Sequence, residues 1–436
     1  MGVKTRKLGN ISDQLVQWQA VHVADGSTAL TAVAGRGYFI DTTSGAQTVN
    51  LPSNASSSIG DTIILKDYAR KWGTNAVTLG SNTFDGSTTT PSFSTEGQTV
   101  TLVHMGATKG WSLINEDTTT GLGPQFIAAT GGTVTTSGNF KIHSFTGDSN
   151  FVVSNAGNSA GSNTVSYLVV AGGGSGGTKR GGGGAAGGFR EGLGLNDSYT
   201  GSPLRAPTGV PVSTTTYPIT VGGGGAAGVG ANPICSAATT AASKGSNSVF
   251  STITSAGGGR GKGTGGADGD SNGGSGGGGF LGSPHIPSPT GVPNGTGNTP
   301  PVSPPQGNNG GTSQSPYSPG QAAGGGGAGG VGLNSNDPGG LDGRGGPGAT
   351  THITGSPAVY AGGGGGGARP CGPQTATVPG GGGRGANNSS APWGNNAYGE
   401  AGTANTGGGG GGSSDQNCAQ SGAGGKGIVI IRYKFQ

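Results

Sequence analysis

Few residues of this sequence have the types and spacing that metal binding would require. The histidines stand singly, without an HxxxH pair, and no two cysteines form a CxxC pair. They are His22, His104, His143, His285 and His352, and Cys235, Cys371 and Cys418. Zinc sites need closely spaced ligands of these two types. We therefore expect no metal site and three unpaired thiols, since nothing in the spacing requires a disulfide.

The sequence does not satisfy the motif of a phosphate-binding loop or that of a catalytic nucleophile. The pattern G-x-x-x-x-G-K-[ST] requires Gly where this chain has Ala256 upstream of Lys262. A GxSxG match at 273–277 lies inside a glycine tract, whereas the nucleophile motif joins a strand to a helix. Asp268 and Asp270 are close enough to approach a cation, but the pair is typical of a solvated loop. We expect no enzymatic activity and no cofactor.

The charge distribution argues against two classes of partner. Residues 1–130 hold 8 basic and 9 acidic side chains, and 131–436 hold 14 and 9, which gives the net charge of +4. Nucleic-acid binding needs clustered Lys and Arg, which this dilute charge does not provide. No run of 18 apolar residues exists, so we expect no membrane insertion. The first residues, MGVKTRKLGN, lack the apolar core of a secretory signal.

Glycine is the residue type that most constrains the secondary structure on which any functional residue would lie. Of the 436 residues 104 are Gly, and 89 of these lie in 131–436. Their clusters have irregular spacing, which excludes a solenoid of fixed period and the G-X-Y repeat of collagen. The eleven clusters are 172–177, 181–188, 222–230, 257–266, 273–279, 324–332, 339–348, 362–367, 380–385, 407–412 and 422–427.

Composition alone leaves disorder open as an alternative. Short branched segments beside the clusters, such as 165–170 and 428–433, favour a folded chain because they need a sheet to join. Poly-Gly favours neither α-helix nor ordinary sheet, but it suits extended helices of three residues per turn whose amides all point outward. The fold class expected is all-β at the N-terminus, followed by a glycine-rich block of packed polyglycine II helices with long loops and essentially no α-helix.

The pattern of short strands, turns and glycine clusters divides the chain into five segments. Six strand-like stretches separated by turn residues predict a small sandwich or barrel of about 90 residues. The segments are a lead segment 1–30, a small β domain 31–117, a linker 118–130, a β subdomain 131–170 and a glycine-rich domain 171–436 that ends in a C-terminal strand.

In such a block the rods carry no side chains, so recognition falls to the segments between them. The two longest late insertions, 280–321 and 386–406, hold exposed-type aromatic residues and stiffening prolines. The candidate contacts are His285, Tyr317, Trp393 and Tyr398. Covering the end of the block is the alternative role for each of them.

The order of the glycine-rich segments resembles a known group of proteins. It comprises Tyr167–Gly174 (YLVVAGGG), 181–190 (GGGGAAGGFR), 217–224 (YPITVGGG), 248–259 (SVFSTITSAGGG) and the closing 427–433 (GIVIIRY). This set resembles the glycine-rich tail-fibre and adhesin proteins of tailed bacteriophages, especially marine ones. Residues 36–79 also resemble a β module of phage structural proteins, around 37–43 and 66–68.

The resemblance implies a function that composition does not. It implies a virion fibre protein, a tail fibre or receptor-binding adhesin, whose loops recognise a host cell-surface glycan or outer-membrane protein. Residues 1–30 would dock to other virion proteins, and assembly as a homo-oligomer such as a trimer would fit. The alternative is a capsid or neck decoration fibre without a dedicated receptor. In either case the protein would be assembled in the host cytoplasm and reside on the virion.

Overall fold

The structure, a computed structural model, consists of β-strands joined by extended segments. It describes residues 16–80, 82–114, 124–229, 241–263, 271–281, 294–313, 321–335, 343–368, 378–386, 398–414 and 419–436. The described residues contain 24 β-strands and no α-helix. They therefore include no helix that is long and apolar enough to cross a bilayer. The three cysteines lie outside the described residues.

Contacts divide the chain into two compact units, which are described separately. Unit 1 comprises Met1–Gln125 with Gly157–Gly161, and unit 2 comprises Phe126–Ala156 with Ser162–Gln436. Unit 2 therefore holds strands from within 131–170 together with the whole glycine-rich region. Residues 157–161 belong to unit 1, although the residues on both sides of them in the sequence belong to unit 2.

Unit 1 is a sandwich of two sheets. Its strands are β1 (Gln17–Trp18), β2 (His22–Val23), β3 (Leu30–Thr31), β4 (Arg36–Asp41), β5 (Gln47–Asn50), β6 (Thr62–Asp67), β7 (Val77–Leu79), β8 (Ser92–Phe93), β9 (Thr99–His104) and β10 (Trp111–Leu113). One sheet has the order β1-β4-β6-β9-β10 with β2 also on β4, and the other has the order β3-β5-β7-β8. Strands β1 to β3 thus extend these sheets from within the first 31 residues.

Alternation of side chains explains the unit 1 core. In β6 the buried residues Ile63 and Leu65 alternate with half-buried ones, as a strand with one face on a core requires. Both pack in a buried cluster with Trp72, Phe93 and Trp111. About 25 cal/mol per Å² of apolar surface removed from water makes this cluster the main stabilising term of the unit.

Unit 2 starts with a β region whose strands continue into the glycine clusters. The strands are β11 (Ile127–Thr130), β12 (Thr133–Ser137), β13 (Phe140–Phe145), β14 (Ser149–Ala156), β15 (Thr164–Val170), β16 (Phe189–Gly192), β17 (Arg205–Ala206), β18 (Val210–Pro211), β19 (Thr216–Thr220), β20 (Ser248–Phe250), β21 (Ile253–Ser255), β22 (Ala349–Thr351), β23 (Ala358–Tyr360) and β24 (Ile428–Lys434). One sheet has the strand order β12-β13-β24-β15-β16-β17, and another has the strand order β11-β14-β19-β20-β21. The closing strand β24 pairs with both β13 and β15.

The glycine clusters form rods with a hydrogen-bond period of three residues. Within 172–177 the first of every three amides donates to 243–246, the second to 422–425 and the third to 182–185, over 2.8 to 3.0 Å. The residue numbers of each partner fall as those of the donor rise, so these three neighbours run antiparallel. Three residues per turn with amides directed outward is polyglycine II geometry.

The carbonyl groups of the same rod reach three further neighbours. They accept from amides of 258–261, of 410–413 and of Gly225. Rod 171–177 is therefore surrounded by six others, and rod 181–188 is surrounded by six in the same way. The expected all-β chain with a block of packed polyglycine II helices and no α-helix is confirmed.

Close packing of the rods explains why their residues are glycine. A Cβ on Gly173 would collide with the carbonyl group of Gly408, and one on Gly364 would lie 2.6 Å from the carbonyl carbon of Gly410. Both obstacles are backbone, which has no flexible end to move aside. Burying the amides and carbonyls also requires a partner for each, which the six neighbours supply.

The block contains more rods than the glycine clusters predict. Segments 243–246, 294–298, 306–313 and 399–403 hydrogen-bond as rods although Ser, Asn, Lys or Glu interrupt them. The expectation that 280–321 is one long loop is therefore wrong, since two rods lie within it. Most of the side chains in these rods are exposed or half-buried, whereas Gln306 and Ser313 are buried.

Candidate functional site

The two ends of the polyglycine block differ in what they carry. Among the described residues eight rod ends continue directly into paired strands: β15 enters rod 171–177, β16 follows rod 181–188, and the remaining junctions are at β19, β20, β21, β22, β23 and β24. We call this end of the block the sheet end and the opposite end the loop end. Because the strands pair with one another, the rod ends at the sheet end are fixed in register.

At the loop end, the described rods are flanked mainly by stretches that lie outside the described residues. Eight stretches of unit 2 lie outside the described residues, and seven of them are bordered on both sides by rod residues at the loop end. The seven are 230–240, 264–270, 282–293, 314–320, 336–342, 387–397 and 415–418. The eighth, 369–377, leaves from the loop end at Ala368 and resumes at the sheet end, where the carbonyls of Pro379 and Gly380 accept from Gly348 and Gly362.

The structure describes one of the four candidate contact residues. The side chain of Tyr398 is 57% exposed, and it stands at the start of rod 399–403, where the Gly399 amide donates to Gln420 at the loop end. His285, Tyr317 and Trp393 lie outside the described residues. Each belongs to a stretch whose described flanking residues are rod residues.

Charged side chains that the sequence motifs did not single out also lie toward the loop end. Lys179 and Arg180 form the turn after rod 171–177 and are half-buried. Arg384 lies 3.8 Å from Glu400 through its Nε, with both side chains over 40% exposed. Basic residues beside or inside glycine tracts were the available sequence signal, but the signal does not imply exposure, since Arg260 and Lys262 in tract 257–263 are buried.

A buried polar cluster fixes the sheet end. The Arg432 Nε donates to both carboxylate oxygens of Asp197 at 3.0 and 3.2 Å, and the Ser166 hydroxyl donates to the same carboxylate at 2.8 Å. The guanidinium also lies 4.2 Å from the ring centre of Phe140. This ion pair joins the closing strand to the 193–205 connection, and a buried charge pair of this kind depends on both partners being present.

Glu191 forms the second half of this cluster. Its carboxylate accepts from the Thr351 hydroxyl at 2.5 Å and from the Ser202 amide at 2.8 Å. Burial, followed by the nearby Glu191 carboxylate, raises the pKa of Tyr199 far above its ordinary value. The hydrogen bonds of both carboxylates go to groups of the protein itself, and the bond from Thr351 to Glu191 fastens the β22–β23 hairpin to the sheet.

The described histidines with hydrogen bonds lie apart from one another, each bonded to different residues. His143 Nδ1 lies 2.7 Å from the Gly131 carbonyl and therefore donates, which leaves Nε2 to accept from the Tyr433 hydroxyl at 3.1 Å. Burial is the main cause that lowers the pKa of His143. His22 pairs with Gln47, and His352 with the Thr200 carbonyl. Among the described residues no three His, Cys, Asp or Glu side chains form a group that could hold a metal ion.

Comparison with known sequences adds a family. No curated protein matches the chain. A family model described as a glycine-rich domain matches residues 149–434, from the first residue of β14 to the last residue of β24. This match spans well over half of the chain and includes every rod. The chain belongs to this glycine-rich domain family.

Proposed function

We propose that this chain is a virion fibre protein of a tailed bacteriophage, a tail fibre or receptor-binding adhesin that contacts the host through its loop end. One observation carries the proposal: seven connecting stretches, which hold three of the four candidate residues, are bordered at a single end of the block. The backbone amides and carbonyls of the rods are hydrogen-bonded to neighbouring rods. Recognition of a ligand therefore falls to the connections.

The rigidity of the block supports this role. Rods hydrogen-bonded to their neighbours hold the residues that flank the connections in fixed positions, which would reduce the conformational entropy lost on binding. Aromatic side chains such as Trp393 and Tyr398 offer flat faces to sugar rings and to apolar patches of an outer-membrane protein alike. The proposed ligand is accordingly a host cell-surface glycan or outer-membrane protein.

Virion attachment is proposed for unit 1. Unit 1 has an ordinary apolar core and exposes large apolar side chains, whereas polyglycine rods offer little apolar surface for a stable contact. With attachment through unit 1, the protein would reside on the tail or on the exterior of the capsid or neck.

Adsorption of purified full-length protein to host cells tests the receptor role. Replacing His285, Tyr317, Trp393 and Tyr398 with Ala is expected to reduce adsorption at least tenfold while the thermal transitions stay unchanged. The matched control replaces Val152 and Leu195, which are exposed outside the rods, and is expected to adsorb normally. Unchanged adsorption of the first variant would remove the loop assignment.

The position of the protein on virions separates the two fibre roles. Immunogold labelling of tail tips together with loop-dependent adsorption is expected for an adhesin. Labelling confined to the capsid or neck, with no adsorption by the purified protein, would favour the decoration fibre instead.

A further inference from the structure

Gly223 is a glycine that neither its backbone conformation nor its packing requires. A Cβ built on Gly35, Gly60, Gly138 or Gly223 would have no atom within 4 Å. The first three have φ between 57° and 94°, where glycine is favoured, whereas Gly223 lies outside the positive region. At other rod positions, such as Gly173, a Cβ would collide with a neighbouring backbone. Because ordering a glycine is entropically costly, the exposed Gly223 indicates a place that another backbone approaches.

Gly223 belongs to a rod at the border of the block. Among the described residues, rod 222–228 is hydrogen-bonded to three rods, which are 171–177, 243–246 and 422–427. Rod 171–177, by contrast, has all six neighbours. We call the outward side of rods 222–228 and 422–427 the lattice edge, because within the described residues no further rod covers it.

The first rod of the lattice edge directs some of its backbone groups away from the block. The amides of Gly222 and Gly225, three residues apart, donate inward to the Ser248 hydroxyl at 2.9 Å and the Gly173 carbonyl at 2.8 Å. Gly224 is exposed, and its amide has no partner among the described residues. Because the rod repeats every three residues, this amide points in a different direction from the two inward ones. It is the donor of a rod-to-rod contact whose acceptor lies outside the described residues.

The second rod of the lattice edge repeats this pattern. The Gly424 amide donates to the Gly225 carbonyl at 2.9 Å, which places the two rods side by side. The amides of Ala423 and Lys426 are three residues apart, and neither has a partner among the described residues. Outward amides at this spacing match the repeat of one more polyglycine II rod.

Side chains do little to obstruct the lattice edge. Residues 222–228 read GGGGAAG, and residues 422–427 read GAGGKG, with Lys426 as the one charged side chain of the two rods. Rods 294–298 (NGTGN) and 399–403 (GEAGT) instead carry Asn, Thr or Glu. Proteins protect an open sheet edge from unwanted pairing with such polar and charged side chains. The lattice edge, which lacks most of this protection, is suited to accept a further backbone.

We propose that the lattice edge binds an extended glycine-rich segment of another protein, which adds to the block as a further polyglycine II rod. The occupant is identified by its backbone: a glycine must face Gly223, and its carbonyls must meet outward amides every three residues. This is the polyglycine counterpart of adding a strand to an open sheet edge. At about 3.1 Å per residue, rod 222–228 would hold a segment about 22 Å long. The lattice edge is a side of the block, so this inference is independent of the receptor role and either can fail alone.

Fluorescence anisotropy of a labelled peptide with the full-length protein tests the proposal. The probe is a run of nine glycines with two glutamates at each end, which keep it soluble and suit the exposed Lys244 on the adjacent rod. The control peptide has the same ends and valine in place of every third glycine. We expect saturable, submillimolar binding of the probe and at least tenfold weaker binding of the control, because a Cβ prevents close approach of two rods.

A single methyl group at the edge separates this site from the rest of the block. Gly223→Ala adds a Cβ with no atom of the protein within 4 Å, so the chain is expected to fold while affinity for the probe falls at least tenfold. Val331→Ala changes an exposed residue of rod 324–332 and is expected to keep the native affinity. Bound probe is also expected to slow amide hydrogen exchange in peptic fragments that contain 222–228.

Four results would overturn the proposal. They are a native chain that does not bind the probe at millimolar concentration, equal affinity of Gly223→Ala and the native chain, and slowed exchange confined to other rods. The fourth is a sedimentation mass that rises with concentration in the native chain and stays at one chain in Gly223→Ala. That result would assign the lattice edge to a second copy of this chain and not to another protein.

Discussion

The amide of Gly364 donates a 2.9 Å hydrogen bond to the carbonyl of Gly184, although most of the glycine-rich region separates them in sequence. Gly184 in turn donates to Gly410 at 2.7 Å. These bonds link three rods through Gly364, Gly184 and Gly410, none of which has a side chain. The stability of the block therefore depends on backbone contacts between segments that are distant in the chain.

Gly364→Ala is expected to destabilise unit 2 by about 3 kcal/mol, because the added Cβ meets the Gly410 backbone and displaces about three hydrogen bonds worth roughly 1 kcal/mol each. Gly223→Ala is the matched control, since a Cβ on Gly223 has nothing within 4 Å. Its free energy of unfolding is expected to stay within about 0.5 kcal/mol of the native value. Urea unfolding of the full chain, followed through the unit 2 transition, compares them, and equal losses would contradict the packing argument.

Asp197→Ala is expected to lower the free energy of unfolding of unit 2 by about 3 to 5 kcal/mol, because it leaves the Arg432 guanidinium buried without its counter-ion. Glu400→Ala removes an ion pair whose side chains are more than 40% exposed, and should cost under about 1 kcal/mol. Differential scanning calorimetry of the two variants makes the comparison. A small loss for Asp197→Ala would mean that solvent reaches Arg432.

Acidification is expected to destabilise unit 2 through His143. The unfolded histidine takes up a proton near its ordinary pKa of 6.5, whereas burial holds the pKa of the folded one lower. Between these values the unfolded state binds more protons, so stability is full above pH 6.5 and falls as the pH drops below it. The melting temperature of unit 2 between pH 8 and 5 measures this loss. His143→Gln should show a shallower dependence, and an identical slope would assign the effect elsewhere.

Amide hydrogen exchange is expected to be slowest in the rods with six neighbours. In rods 171–177 and 181–188 the amides donate to other rods and their residues are mainly buried. Exchange there requires opening of the whole block. Gly223, an exposed residue of a peripheral rod, should exchange orders of magnitude faster. Mass spectrometry of peptic fragments resolves the two classes, and uniform fast exchange would contradict a cooperative lattice.

Much of the local structure follows from sequence alone. Glycine clusters exclude α-helix and favour the three-residue helix, and branched segments such as 165–170 and 428–433 become β15 and β24 as their composition predicts. The loop candidates were deduced by elimination, since polyglycine rods carry no side chains. Of these four residues the structure places Tyr398 on the surface, and the receptor role of all four stays a prediction.

The sequence by itself determined that this chain forms glycine rods joined by polar connections, because residue type limits the conformation of each tract. Only the tertiary structure decided which rods are neighbours, that 294–298 and 306–313 lie in the lattice, and that Arg432 meets Asp197. The physical reason is that a glycine tract has no side chain to distinguish one partner from another. The order of the rods therefore comes from the strands and connections at their ends, which act together only in the folded chain.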